Sequence, residues 1–135
     1  MKKILSTNYS TGAFNVGTLI LRLVLGVLML VIGFEKLSNF DKHLPDMYNF
    51  LDLGKKTSLI LVIFAEFFCS AILIIGLLTR LACIPLIIVM GVALFIIHKG
   101  QFFGDGQTAA LFLAGYVVLL LIGPGKISVD GLVGK

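Results

Sequence analysis

Apolar residues fall in four long blocks, roughly 16–37, 57–79, 81–98 and 107–123, separated by polar punctuation. At a rise of about 1.5 Å per residue, each block is near the length needed to cross about 30 Å of hydrocarbon as a helix. Membrane-spanning strands would alternate apolar and polar positions, and these blocks do not. The pattern predicts an all-α four-transmembrane-helix bundle, with residues 1–135 as a single membrane domain.

The connections differ in kind. The second and third blocks meet at Thr79-Arg80-Leu81, a hairpin with almost no loop, and Pro85 is expected within the first turn or so of the third helix. The third and fourth join through a glycine-containing stretch from Lys99 to Gly106. Between the first two, Leu44, Met47, Tyr48 and Leu51 recur at helical spacing, while Asp46, Asn49 and Asp52 fall largely on other sides. With Pro45 suited to a helix start, this predicts a short amphipathic helix at the membrane surface. At the beginning, a polar stretch from Ser6 to Gly12 separates Lys2-Lys3 from the apolar run, and that run is full length. The first block is therefore expected to be an uncleaved span rather than a signal peptide.

Composition reinforces the pattern. The 135 residues are 59% hydrophobic and 13% charged, against about 45–50% and 25% for ordinary soluble domains. Disorder and a soluble globule are both excluded, and a lipid bilayer becomes the expected surroundings. The net charge of +4 is scattered, with no basic run longer than two, so nucleic acid is not an expected partner. Four spans put both termini on one side. Lys2, Lys3, Arg80, Lys126 and Lys135 then face Lys36, Lys42, Lys55, Lys56 and Lys99, a tie that Arg22 breaks toward cytoplasmic termini.

Ionisable groups at membrane depth cost several kcal/mol unless sheltered, so they mark where to look. Arg22, Gly26, Met29, Gly33 and Lys36 share one face of the first helix, and Glu66, Ser70, Leu73, Leu77 and Arg80 share one face of the second. On the third, His98 continues a stripe through Phe95, Gly91 and Ile87. Measured from the terminal side, Arg22 lies roughly 6 Å deep, Glu66 roughly 20 Å, and Lys36 and His98 about 25–27 Å. This predicts an outer cluster of Lys36, Glu66, His98 and Gln107, and an inner cluster of Arg22, Thr79 and Arg80. Arg22 is expected to meet the carbonyl ends of the second and fourth helices, near Thr79 and Gly123.

The outer cluster can bind a polar headgroup and move protons, or it can be a structural lock for the bundle; both readings fit. The inner cluster reads as structural or as a contact for lipid phosphate. Cys69 and Cys83 are expected roughly 20 Å apart in depth, beyond disulfide reach. No histidine pair suits haem, no zinc spacing occurs, and neither a phosphate loop nor a nucleophile–base set is present. No metal or intrinsic cofactor is expected.

Four stretches together resemble the DoxX family of bacterial membrane proteins. They are Leu21-Arg22-Leu23 with Gly26 and then Gly33-Phe34-Glu35-Lys36-Leu37; Ala65-Glu66 with Gly76-Leu77-Leu78-Thr79-Arg80; the Pro85, Met90, Ala93, His98 layout; and Gly123-Pro124-Gly125-Lys126-Ile127-Ser128-Val129-Asp130. One departure is Phe67-Phe68-Cys69-Ser70, where the family commonly has smaller residues, often paired glycines. It predicts a looser approach of the first helix to the second. The resemblance implies a multi-pass protein of the bacterial inner membrane, and an association with quinone-linked redox or oxidative-stress complexes.

Three functional readings follow. The first is a small accessory subunit of a quinone-linked membrane redox system, an oxidoreductase subunit if an enzyme at all, in which Glu66 and His98 hydrogen-bond a quinone and Lys36 keeps Glu66 ionised. The second is a non-catalytic assembly protein that docks a redox-complex partner through the Leu44–Leu53 segment. The third is a small transporter, which would need a homo-oligomer because one four-helix chain leaves little room for a pore.

Overall fold

A computed structural model describes residues 6–46, 48–97, 99–101, 103–104 and 106–133, and all regular structure in it is helical. Met47 and His98 lie outside the described residues, as do Lys2, Lys3 and Lys135 of the charge count. Helix α1 (Thr11–Ser38) is 28 residues long and starts at Ser10, whose hydroxyl accepts a hydrogen bond from the Ala13 N–H at 3.0 Å. After a single turn, α2 (Phe40–His43), come the long helices α3 (Lys55–Ile75) and α4 (Thr79–Ile97). Helix α5 (Gln107–Ile122) follows, then a short α6 (Val129–Val133).

Three of these helices, α1, α3 and α4, are long and apolar enough to cross a membrane, and α5 is a shorter apolar helix of 16 residues. Helix α1 packs along α3, α3 along α4, α4 along α5, and α5 back against α1, which closes a ring. Large apolar side chains such as Val31, Phe68, Ile88 and Leu121 point outward, while Arg22, Glu66, Ser70 and Thr79 are at most 2% exposed. Polar groups inside and apolar groups outside is the arrangement lipid demands.

Helix α3 ends on Gly76, whose left-handed backbone (φ 76°) lets its N–H reach the carbonyls of Ile72 and Leu73. Helix α4 begins at Thr79, two residues earlier than the pattern predicts. Pro85 therefore sits inside the helix, in its second turn.

The expected amphipathic helix does not form as one piece. The segment folds as two 3₁₀ turns, Leu44–Asp46 and Phe50–Asp52, with Leu51 and Asp52 at positive φ. Asn49 accounts for part of the break, because its side chain accepts from the Gly54 N–H at 2.7 Å and pulls the chain into a loop. Leu51 is left 73% exposed.

The looser α1–α3 approach is also not found. A Cβ on Gly33 would stand 2.8 Å from the backbone of Glu66 and Phe67, and one on Gly26 would stand 3.3 Å from the Ser70 carbonyl. The glycines on α1 supply the closeness that the bulkier residues of α3 do not.

Candidate functional site

The Gly33 contact brings Lys36, three residues further along α1, over Glu66 on α3. The Lys36 ammonium is 2.8 Å from Glu66 Oε1 and donates to Oε2 at 3.1 Å. Glu66 is 2% exposed and the Lys36 side chain 27%. A carboxylate this deep is tolerable only when paired, and removing one partner would leave the other charge uncompensated.

Beside the pair lies an apolar cavity of about 370 Å³, within the range of small-molecule sites. Helices α3 and α4 form its walls, including Ala65, Pro85, Val89 and Ala93. The broken loop closes one side with Tyr48 and Phe50, and the Phe50 N–H donates to Ser58 Oγ at 2.9 Å. Both walls are locally π-helical, over Phe64–Cys69 in α3 and Val92–Ile97 in α4. A π turn widens a helix and re-aims its side chains, and such turns are common at functional sites. Here one of them carries Glu66 and the other carries Ala93.

Of the predicted outer cluster, Lys36 and Glu66 meet in this way, and His98 lies outside the described residues. Gln107 is exposed and lines a separate depression with Phe103, Ala110 and Leu111. His43, at the end of α2, pairs with Glu35 at the surface.

The inner end is organised by the chain beyond α5. Arg22, 1% exposed, packs its guanidinium against Gly76 at the end of α3 and donates to the Ile127 carbonyl. Arg80 lies against Gly123 at the end of α5, with its guanidinium 3.5 Å from the Leu121 carbonyl. The two arginines thus divide the helix ends that the sequence assigned jointly to Arg22.

Thr79 is buried at the start of α4, and its N–H, with that of Leu78, is capped by Asp130 at 2.9 and 2.8 Å. The Asp130 N–H returns a bond to the Gly76 carbonyl at 2.9 Å, and the Lys126 N–H binds Asn15 Oδ1 at 3.1 Å. Partial desolvation opposes the charge on Asp130. The Thr79 and Leu78 hydrogen bonds and the Arg22 charge outweigh it and hold the carboxyl below its ordinary range.

Between the two ends, Cys69 and Cys83 belong to one buried core, which does not fit the expected 20 Å difference in depth. Counted from the shared turn at Thr79, the two positions differ by only about six residues, or about 9 Å. Tyr116 and Ser70 are fully buried as well.

Comparison with known families matches residues 17–99, more than half of the chain, to DoxX. The chain belongs to the DoxX family. No curated protein and no solved structure gives a significant match. The matched stretch of this DoxX chain contains Arg22, Lys36, Glu66, Thr79 and Arg80, and it stops before α5 and the segment that carries Asp130.

Two residues of the DoxX bundle hold positions that the sequence pattern does not mark. Asp130 was visible only as part of a tail motif, with no sign of what it caps. Tyr116 is the one hydroxyl of α5 beyond Thr108 in its first turn, and that isolation is its only signal.

Proposed function

We propose that this DoxX protein is a small accessory subunit of a membrane redox system, and that the cavity beside Lys36 and Glu66 takes the head of a quinone. One observation carries the reading: an apolar cavity of about 370 Å³ has a buried ion pair as its charged wall. That is the chemistry needed by a flat apolar ring bearing a few polar oxygens. A bound quinone would supply electron-accepting chemistry coupled to protonation. The chain's own residues do the rest. Lys36 donates hydrogen bonds and offsets the burial of the Glu66 carboxylate, Glu66 as a carboxylate accepts a proton and passes it on, and Val89, Ala93 and Phe50 exclude water.

The same reading places α5 as the fourth span, completed by its flanking turns, with both termini cytoplasmic in a bacterial inner membrane. A protein of the redox complex is its partner, and the exposed Leu51 loop is a surface for that contact.

Mass spectrometry of gently purified protein tests the proposal. Wild type is expected to carry quinone. Ala93→Phe, which fills the cavity, should remove it, and Glu66→Gln should lower its content about tenfold, equivalent to about 1.4 kcal/mol of binding. Equal quinone in wild type and Ala93→Phe would overturn the assignment.

A further inference from the structure

At the inner end, the start of α4 and the chain beyond α5 do not close flush. Thr79, Arg80 and Leu81 on one side, with Lys126 and Asp130 on the other, line a depression of about 470 Å³. Its charge is unbalanced. Asp130 is the one carboxylate at this end among the described residues, and its two oxygens already accept from the Leu78 and Thr79 N–H groups. Neither Arg80 nor Lys126 forms an ion pair among the described residues. Arg80 reaches the Leu121 carbonyl only at 3.5 Å. Lys126 is held in place through its backbone N–H, on Asn15, and not through its ammonium. The Thr79 hydroxyl is fully buried, and it has no hydrogen-bond partner among the described residues. Two cations and a hydroxyl donor thus line a space large enough for a ligand, at the start of a 19-residue helix, where negative charge is favoured.

An arginine and a lysine without carboxylate partners suit a phosphate group. The rim says which kind. Leu78 and Leu81 line the same depression and are more than half exposed, and Leu121, whose carbonyl Arg80 approaches, is 71% exposed. A free phosphate gains nothing from such a rim, whereas a phospholipid brings acyl chains to cover it. The ammonium of a zwitterionic headgroup would be repelled by Arg80 and Lys126, and a headgroup ending in hydroxyls would not. We propose that this depression binds the head of an anionic phospholipid. Arg80 and Lys126 hold the phosphate, the Thr79 hydroxyl donates to one of its oxygens, and the acyl chains cover Leu81 and Leu121. Basic pockets between membrane helices bind anionic headgroups by the same means. The site rests on the inner end and not on the quinone reading.

Native mass spectrometry of the full chain in detergent, stripped of lipid, tests the proposal. The probes are phosphatidylglycerol, phosphatidylethanolamine with the same acyl chains, and inorganic phosphate. Wild type is expected to retain phosphatidylglycerol several-fold over phosphatidylethanolamine. Arg80→Gln and Lys126→Gln should each weaken its binding about fivefold, and the double variant should hold the two lipids equally. Both side chains are exposed, so these variants should keep the wild-type melting temperature in lipid-free detergent. Lys42→Gln with Lys56→Gln removes the same charge from exposed positions at the outer end and should change nothing. A wild type that does not distinguish the two lipids overturns the proposal without any variant having to fold. A preference that survives the Arg80 and Lys126 double variant overturns it as well. Retention of inorganic phosphate with no preference for either lipid would assign the depression to a free phosphate and overturn the lipid assignment. Quinone content enters none of these outcomes, so the two proposals fail separately.

Discussion

The two ends of the bundle handle buried charge in opposite ways. At the outer end, Lys36 and Glu66 neutralise each other across α1 and α3, side chain to side chain, beside an apolar cavity. At the inner end, Arg22 and Asp130 spend their hydrogen bonds on backbone groups, namely the Ile127 carbonyl and the Leu78 and Thr79 N–H groups. A charge tied to backbone fixes the path of the chain. A charge tied to another side chain can change partner or proton without unravelling a helix end. The inner end is thus built to hold shape, and under the proposed function the outer end is where a ligand or proton is exchanged.

The largest expected effect tests how the outer end is assembled. Gly33→Val should cost about 3 kcal/mol, because the added carbons would run into the backbone of α3 rather than into a movable side chain. Thermal melting in detergent measures it. Gly17→Val is the control, since nothing lies within 4 Å of a Cβ there, and its effect should stay within about 0.5 kcal/mol.

Next comes Asp130→Ala at the inner end. It removes the carboxylate acceptor of two N–H groups and should cost about 2 kcal/mol in the same melt. Quinone content at the outer end should not change, and a parallel loss there would show that the two ends are not independent.

A smaller effect is expected from acid. The folded carboxyl of Asp130 sits below its unfolded value of about 3.9. Its contribution to stability is therefore complete above that value and is lost as the pH falls through the folded pKa. Asp130→Asn should lower the melting temperature near neutrality and flatten its fall in that acidic window, so that the two profiles converge at low pH. Smallest of all is Arg80→Ala. An exposed guanidinium 3.5 Å from its acceptor contributes little, and a change above about 0.5 kcal/mol would mean that Arg80 does more than rest on Gly123.

Much of this architecture is legible in the residues alone. The helical stripe of Arg22 to Lys36 and the place of Glu66 in the second block put Lys36 over Glu66 and keep Arg22 away from it, because face and depth both follow from spacing, whereas Arg80, expected on the same helical face as Glu66, lies beyond the turn at Gly76 on α4. What spacing cannot supply is rotation about the partner helix. For that reason Gln107, at a suitable depth, faces outward, and the two arginines divide their helix ends differently from expectation. The π-helical stretches have no compositional signature, yet they shape the walls of the cavity. The loop departs from the expected helix because Leu44, Tyr48 and Leu51 fit a helical period, while Asn49 and the left-handed Leu51 obey local turn chemistry instead. Tyr116 escaped notice because one hydroxyl in an apolar run has no pattern to join.

The capping of α4 by Asp130 also has a consequence in time. A ribosome makes the α3–α4 turn long before it makes the residue that satisfies that turn. Until Asp130 emerges, the Leu78 and Thr79 N–H groups must be served by solvent or lipid headgroups, and Arg22 has no Ile127 carbonyl to hold. The inner end can therefore be closed only once the segment beyond α5 has been made, because that segment supplies both the Ile127 carbonyl and the Asp130 carboxylate.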